Sequence, residues 1–457
     1  MSELLIKNCT KATFFNDGYN AVNFLQNADI LIKDNYIVRI DKNIERDCAV
    51  IDGTNLLAIP GLIDGASSCL TSKISHVLCE DIDFGRFGDT PIYARINPLI
   101  NIALKNLDSC QLKSILELAI YEAAQSGTTT LIERCSPKEL PLFLELCKEY
   151  GLRAIAAPIL MNRELFPYID AWGNYDDALQ EIDEDKLISW NIDFVKQTKS
   201  CLQSAVIGLG SPATISPSLM RKASVAAQGL GCLLVANLNE TRHERDICLE
   251  RYGTTPTNLL EENGVLNSRT LVCGNLFTNH EERKLIRRHD TSAAVLARQS
   301  MLDAQITPFI DFLIDDVVTI CGSGRCSVNM LQEIKALTIS GKLESHKRSQ
   351  MCAHDSFYAA TIGAGRVLKI KLGQIEEGFL ADLVLLDIEK PEHIPFTMPI
   401  GELVYSMHAE DVKHVIVNGK IIKSNGKLIG HHSKDILDKA KEALEEFWQY
   451  ARDAGEI

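Results

Sequence analysis

Cys273, Arg298 and Arg325 are side chains whose type and setting raise the question of chemistry. Cys273 lies in the apolar run LVCGNLFT. A thiol becomes a nucleophile when a base or a helix N-terminus lowers its pKa. No histidine is spaced to pair with it, so a buried inert thiol is expected. Arg298 and Arg325 stand at or just beyond the ends of two short apolar runs, Ala293–Ala297 and Val317–Cys321. Two guanidinium groups so placed could hold a carboxylate or phosphate; the alternative is that each pairs with acids of its own fold. The histidines show no metal-binding spacing. His76 and Cys79, in ISHVLCED, are either stray ligands or ordinary loop residues. His280 and His289 fall near opposite faces of a helix and read as surface residues.

The elements that must position these groups repeat a simple alternation. Asp108–Ala124 carries Leu112, Ile115, Leu116, Ala119, Ile120 and Ala123 at helical spacing, and Gly127 closes it. A strand follows at Thr129–Glu133, then a helix over Lys138–Tyr150 and a strand near Arg153–Pro158. The same unit recurs through Ala205–Leu209, Cys232–Asn237, Thr270–Asn275, Ala293–Ala297 and Val317–Cys321. Counting Ala58–Ile63 as the first, eight short buried strands are separated mostly by helices. That pattern predicts an α/β fold, a (β/α)8 TIM barrel over 58–369. Residues 4–57 alternate apolar and polar with turn signals, as do Gly378–Leu386 and Val412–Lys423. They predict a small β-sandwich domain built from both termini, 1–57 with 370–430. Lys434–Arg452 predicts a terminal amphipathic helix within 434–457, packed on the barrel or on a second copy.

The chain has 457 residues and a formal net charge of −14, too acidic for nucleic acid or an anionic membrane as main partner. Its 14 cysteines are scattered without a CxxC pair, which predicts reduced thiols rather than a disulfide framework. Met1–Asn8 lacks the marks of a secretory signal, and no apolar stretch reaches membrane-span length. A cytoplasmic protein is expected.

Ala58–Ser68, AIPGLIDGASS, resembles the first barrel strand of the amidohydrolase superfamily, PGL(I/V)(D/N)-x-His-x-His. Pro60, Gly61, Leu62, Ile63 and Asp64 match. Ser126-Gly127-Thr128-Thr129-Thr130 and Leu238-Asn239-Glu240-Thr241 resemble motifs of its S-adenosylhomocysteine deaminase and chlorohydrolase branch. So do Ala360-Thr361-x-Gly363-Ala364, Glu377-Gly378-x-x-Ala381-Asp382-Leu383-Val384 and Val417-Asn418-Gly419-Lys420. The resemblance implies a metal held by strand-end histidines and an aspartate, yet those positions carry Ala66, Ser68, Asn237, Cys273 and Gly324. The seventh-strand stretch is LARQSML, which leaves Ser300 and introduces Arg298. Glu240 matches the family's proton shuttle.

These departures predict that no metal or other cofactor is bound. They point to a scaffold, small-ligand binder or regulatory homologue. The alternative is a metal-independent enzyme acting on a C–N bond of a nitrogen heterocycle, with Glu240 as general acid and base. Asn237, Cys273, Arg298, Arg325 and Ser68 are then the candidate ligand-binding residues. A homodimer is expected, from the family's habit and the apolar stripe of the terminal helix.

Overall fold

Pro60 and Gly61 divide the apolar stretch at Ala58–Ser68 between two sheets. The computed structural model describes residues 3–14, 22–75, 92, 96–162 and 183–456, with the side chains of 11–14 excepted; His76 and Cys79 lie outside the described residues. Strands β1 (Glu3–Phe14), β2 (Val22–Lys33), β3 (Tyr36–Asp41), β4 (Ala49–Asp52) and β5 (Leu56–Pro60) come first. The chain then leaves that sheet. A Cβ at Gly61 would lie 2.2 Å from Thr129 Oγ1, so only glycine allows this close crossing. The expected strand over Ala58–Ile63 is therefore corrected: β5 ends at Pro60 and a new strand, β6 (Leu62–Ser67), begins beyond the glycine.

β6 starts a run of parallel strands: β7 (Thr128–Cys135), β8 (Arg153–Pro158) and β9 (Gln203–Ala205) pair in the order β6-β7-β8-β9. A second parallel sheet holds β10 (Ile207–Leu209), β11 (Leu234–Leu238), β12 (Thr270–Gly274), β13 (Ser292–Val295) and β14 (Thr319–Cys321) in sequence order. The two sheets meet at both edges. Val206 N donates to Ala156 O at 3.0 Å, and Gly324 N to Ala66 O at 2.9 Å. One apolar cluster takes Ile63, Ile132, Ile155, Val206, Val235, Leu271, Ala294 and Ile320, so side chains from both sheets share an interior. Every residue of β6, β7, β8, β11 and β12 is buried, as expected for parallel strands covered on both faces.

The helices between them start and stop where their sequence dictates. Asp108 caps Ser109–Gln125 with a reciprocal capping box to Gln111. Ser216 caps Pro217–Leu230, with proline in the first turn. Gly151 ends Leu140–Tyr150 in the left-handed conformation. The helical stretch after β14 is three helices, Met330–Ser345, Ala353–Ala359 and Ile362–Leu368.

The last strands, β15 (Leu383–Asp387), β16 (Val412–Val417), β17 (Lys420–Ser424) and β18 (Lys427–Leu428), return to β5. β15 pairs antiparallel with β5, Ile59 opposite Val384. Strands from both ends of the chain thus form one nine-stranded sheet, β18-β17-β16-β15-β5-β1-β2-β3 with β4 on β1. Buried Arg153, on β8, donates to both oxygens of Asp382 just before β15, at 3.0 and 3.1 Å. The terminal helix Ser433–Asp453 buries Ile436, Ala440, Ala443, Phe447 and Ala451 within its own chain. No helix among the described residues is long and apolar enough to cross a membrane.

Candidate active site

Three carboxylates organise the C-terminal ends of the parallel strands. Asp64, fully buried on β6, accepts from Ser323 Oγ at 2.5 Å, Ser323 N at 3.0 Å and Ala66 N at 3.1 Å. It ties the first parallel strand to the loop after the last. Burial raises its pKa, against the pull of those donors. Glu133, near the end of β7, accepts from Ser67 Oγ at 2.5 Å and Cys69 N at 2.7 Å. Burial pushes it up to about 7. Both are held by donors of the chain itself and brace the strand ends.

Glu240 is the third. It follows β11 by two residues, where the chain turns into the helix Arg242–Tyr252 capped by Thr241. Its Oε2 accepts from Asn237 Nδ2 at 3.0 Å, and its Oε1 lies 3.8 Å from Arg134 Nη1. Arg134 Nη1 also donates to Asn237 Oδ1 in a short hydrogen bond. Burial raises the Glu240 pKa; Arg134, then Asn237, then Arg325 oppose that rise. Gly274 makes the arrangement possible. It has φ +101°, and a Cβ there would lie 2.2 Å from Glu240 Cγ. The glycine at the end of β12 leaves the volume that the Glu240 side chain fills.

Cys273, beside that glycine, is buried, and burial pushes its thiol up to about 11 while Arg134 opposes the shift. It is an inert thiol at neutral pH. Ser68 stands just before the short helix Cys69–Ile74 without a side-chain capping bond, and its hydroxyl donates to Arg134 O at 3.2 Å.

The two expected arginines part company. Arg298 bonds to Glu333 at 2.8 Å, to Ser327 Oγ at 2.7 Å and to Gln332 at 3.0 Å. It locks the chain after β13 to the helix Met330–Ser345. Arg325 instead pairs with Asp303 and lines a cavity of about 20 Å³ with Glu240, Thr241, Phe277, Gln299, Asp303 and Gln305. That is room for one water molecule. Ala66 and Gly324, which have no donor side chains, complete the strand ends.

Arg134, Asp303 and Gln299 are site residues that the sequence did not single out. A signal for Arg134 existed: Glu133-Arg134 is a charged pair following the uncharged stretch TTTLI, and reactive residues of such folds sit at strand C-termini. Asp303 and Gln299 gave none, because the turn of a short helix decides where they point. Among the described residues, the one group of His, Cys, Asp or Glu side chains close enough to share a metal is Glu392, His393 and Asp411. It lies between β15 and β16, and Lys390 already pairs with Asp411.

The Amidohydrolase family profile matches residues 84–422, most of the chain. The chain belongs to the amidohydrolase family. The 5-methylthioadenosine/S-adenosylhomocysteine deaminase of Pyrococcus furiosus is 26% identical over 92% of this amidohydrolase and 96% of its own length. That of Aquifex aeolicus is 28% identical over 90% and 92%. The 5'-deoxyadenosine deaminase of Methanosphaera stadtmanae is 25% identical over 92% and 96%. In fold, the amidohydrolase is similar to the atrazine chlorohydrolase of Arthrobacter aurescens in complex with zinc. The TM-score is 0.84 at 17% identity, over 96% of this chain and all of the other. An adenosine deaminase from Xanthomonas campestris with bound zinc aligns with a TM-score of 0.84 at 18% identity, over 98% and 99%.

These findings correct the expected function. Five substituted positions pointed to a scaffold, binder or regulatory homologue, or failing that to a metal-independent enzyme. The relatives that match over nine-tenths of the chain are named deaminases, and the neighbours in fold are hydrolases and a deaminase carrying zinc.

Proposed function

We propose that this amidohydrolase is an enzyme, a hydrolytic deaminase acting on the ring amine of an adenosine-type nucleoside such as 5'-methylthioadenosine, S-adenosylhomocysteine or 5'-deoxyadenosine. The observation that carries the reading is Glu240, a buried carboxyl held by Asn237 and flanked by Arg134 at the C-terminal end of β11. The relatives' names supply the substrate class. In deamination, water adds its oxygen to the ring carbon, the C–N bond breaks and ammonia leaves. Of the water's two protons, one ends on the ring nitrogen beside that carbon and the other must pass to the departing nitrogen. A carboxyl whose pKa burial has raised is suited to take that proton and give it up again. Asn237 and Arg134 keep its two oxygens oriented.

The residues at these strand ends do not fit the zinc that the fold neighbours carry. Such a site needs three or four nitrogen, oxygen or sulfur donors. Ala66 and Gly324 supply none. The Ser68 hydroxyl is given to a carbonyl and Asn237 Oδ1 is taken by Arg134, which leaves the Cys273 thiol as a single donor where three or four are needed. The reading also takes the two parallel sheets as one closed (β/α)8 barrel, with domains at 1–57 plus 370–430, 58–369 and 434–457, in a cytoplasmic protein. The shared interior cluster and the edge hydrogen bonds support the barrel.

Purified protein incubated with each nucleoside, alone and with zinc, iron or manganese supplied, tests the proposal. Stoichiometric ammonia with the corresponding inosine-type product is expected. No ammonia from any of them under any of these conditions would overturn it.

A further inference from the structure

His393 ends the short 3-10 turn Pro391–His393, between β15 and β16, and is 1% exposed. Neither of its ring nitrogens makes a hydrogen bond among the described residues. A buried polar group in that state is costly. Two carboxylates bracket the ring. Nε2 stands 3.2 Å from Asp411 Oδ2, and Nδ1 stands 4.0 Å from Glu402 Oε2. That Glu402 oxygen is itself buried without a hydrogen-bond partner. Glu392, next to His393 in the turn, brings a third carboxylate. One ligand atom each from Glu392, His393 and Asp411 lie within 4.8 Å of one another.

We infer that His393, Asp411 and Glu392 form a site for a divalent transition-metal ion of the zinc class, away from the parallel strands, with Glu402 holding the imidazole from behind. Nitrogen and oxygen ligands about 2.0–2.2 Å from a tetrahedral zinc stand roughly 3.4 Å apart, close to the His393–Asp411 separation. A metal-bound imidazole gives its other N–H to a carboxylate, and Glu402 faces Nδ1. Glu392 is exposed, so its side chain is free to swing inward, and water fills the fourth position. An imidazole donor favours zinc over magnesium or calcium. Lys390 is the competitor, for it donates to Asp411 Oδ1 and to Glu410 O. Asp411 Oδ2 has one backbone donor, His408 N at 2.7 Å, and its second lone pair remains for the ion. Three carboxylates against one ammonium leave the group short of positive charge. The ion would clamp the turn after β15 to the turn that opens β16, bracing the sheet built from both ends of the chain. The site is independent of the deaminase reading.

The full chain, stripped with a chelator and dialysed, is titrated calorimetrically with zinc chloride, and its melting temperature is followed with and without the metal. One equivalent of bound zinc and a higher melting temperature are expected. Loss of an outer partner typically costs roughly 10- to 100-fold in affinity, so Glu392→Gln and Asp411→Asn should each cost at least that and remove the thermal gain. Lys390→Gln should tighten binding. Cys273→Ser, at the parallel strand ends, should leave it unchanged. Glu392 is exposed, so its variant decides even where Asp411→Asn fails to fold. No stoichiometric zinc in the wild type, or zinc held equally well by Glu392→Gln, would mean that His393 simply pairs with Asp411, and the inference falls. Zinc lost with Cys273→Ser would overturn it too, by placing the metal at the strand ends.

Discussion

Arg134 and Glu240 face each other at 3.8 Å across the ends of β7 and β11, with Asn237 donating to the carboxylate and accepting from the guanidinium. Two opposing influences set the acid's protonation. Burial favours the neutral form, and the cation favours the ionised one. A group balanced in this way can exchange a proton with a bound ligand.

Glu240→Gln keeps the shape and the bond to Asn237 while removing the titratable proton. Ammonia release should fall roughly 100- to 10,000-fold in kcat, with KM changed little. A variant that turns over at the wild-type rate would show that another group moves the proton.

Gly274→Ala should act on Glu240 without touching the substrate. The new methyl would lie 2.2 Å from Glu240 Cγ at a backbone φ of +101°. The strained backbone alone should cost about 1–2 kcal/mol in chemical denaturation. Activity should fall chiefly in kcat. Combining it with Glu240→Ala should relieve the clash, so the stability losses of the pair should be less than additive. Strict additivity would count against the contact.

Stability should decline as pH rises through neutrality. Glu133 is raised from its usual 4.5 to about 7 by burial, so the folded state keeps a proton that the unfolded chain has already lost. Its contribution is complete below about 4.5 and lost as pH climbs through 7. Across that interval the loss runs at roughly 1.4 kcal/mol for each pH unit. Glu139 and Glu244, both raised to about 8, add slope in the same direction. Urea unfolding at a series of pH values should show the decline, and Glu133→Gln should flatten it. A stability that rises over that interval would refute the assignment.

The protein is expected to be a homodimer, and its terminal helix has little left to offer a partner. That helix spends its apolar face on its own chain, leaving Leu437 exposed. Ile314 and Leu343, 65% and 54% exposed on Phe309–Ile314 and Met330–Ser345, are the better anchors. Light scattering over a dilution series should give twice the 50.7 kDa chain mass, and Ile314→Asp with Leu343→Lys should yield monomers. A monomer in the wild type would dismiss the expectation.

Much of the fold was legible because periodicity and punctuation agree. The Leu112–Ala123 spacing gave its helix to within a residue at each end, and the Gly151 stop was plain. The joint at Pro60-Gly61 was hidden, since both flanking strands are equally apolar and Thr129, which demands the glycine, is distant in sequence. In the site, Glu240 was visible through its motif. Arg298 and Arg325 could not be told apart, because Glu333 and Asp303 decide which guanidinium turns away. Arg134 belongs to a wholly buried strand, where no alternation marks the side that a residue faces.

The pairing of β5 with β15 also sets a timetable for synthesis. Leu57 bonds opposite Leu386, so the early strands leave the ribosome well before their partner exists. At ordinary elongation rates that interval is roughly 20 to 60 s. Nascent chains stalled before β15 should be cut by protease within β1–β5, and chains extended past β18 should not; equal resistance would discount the delay. Until then β5 offers an unpaired apolar edge to its surroundings, and a chaperone has its longest opening at the first sixty residues rather than at the ends of the parallel strands.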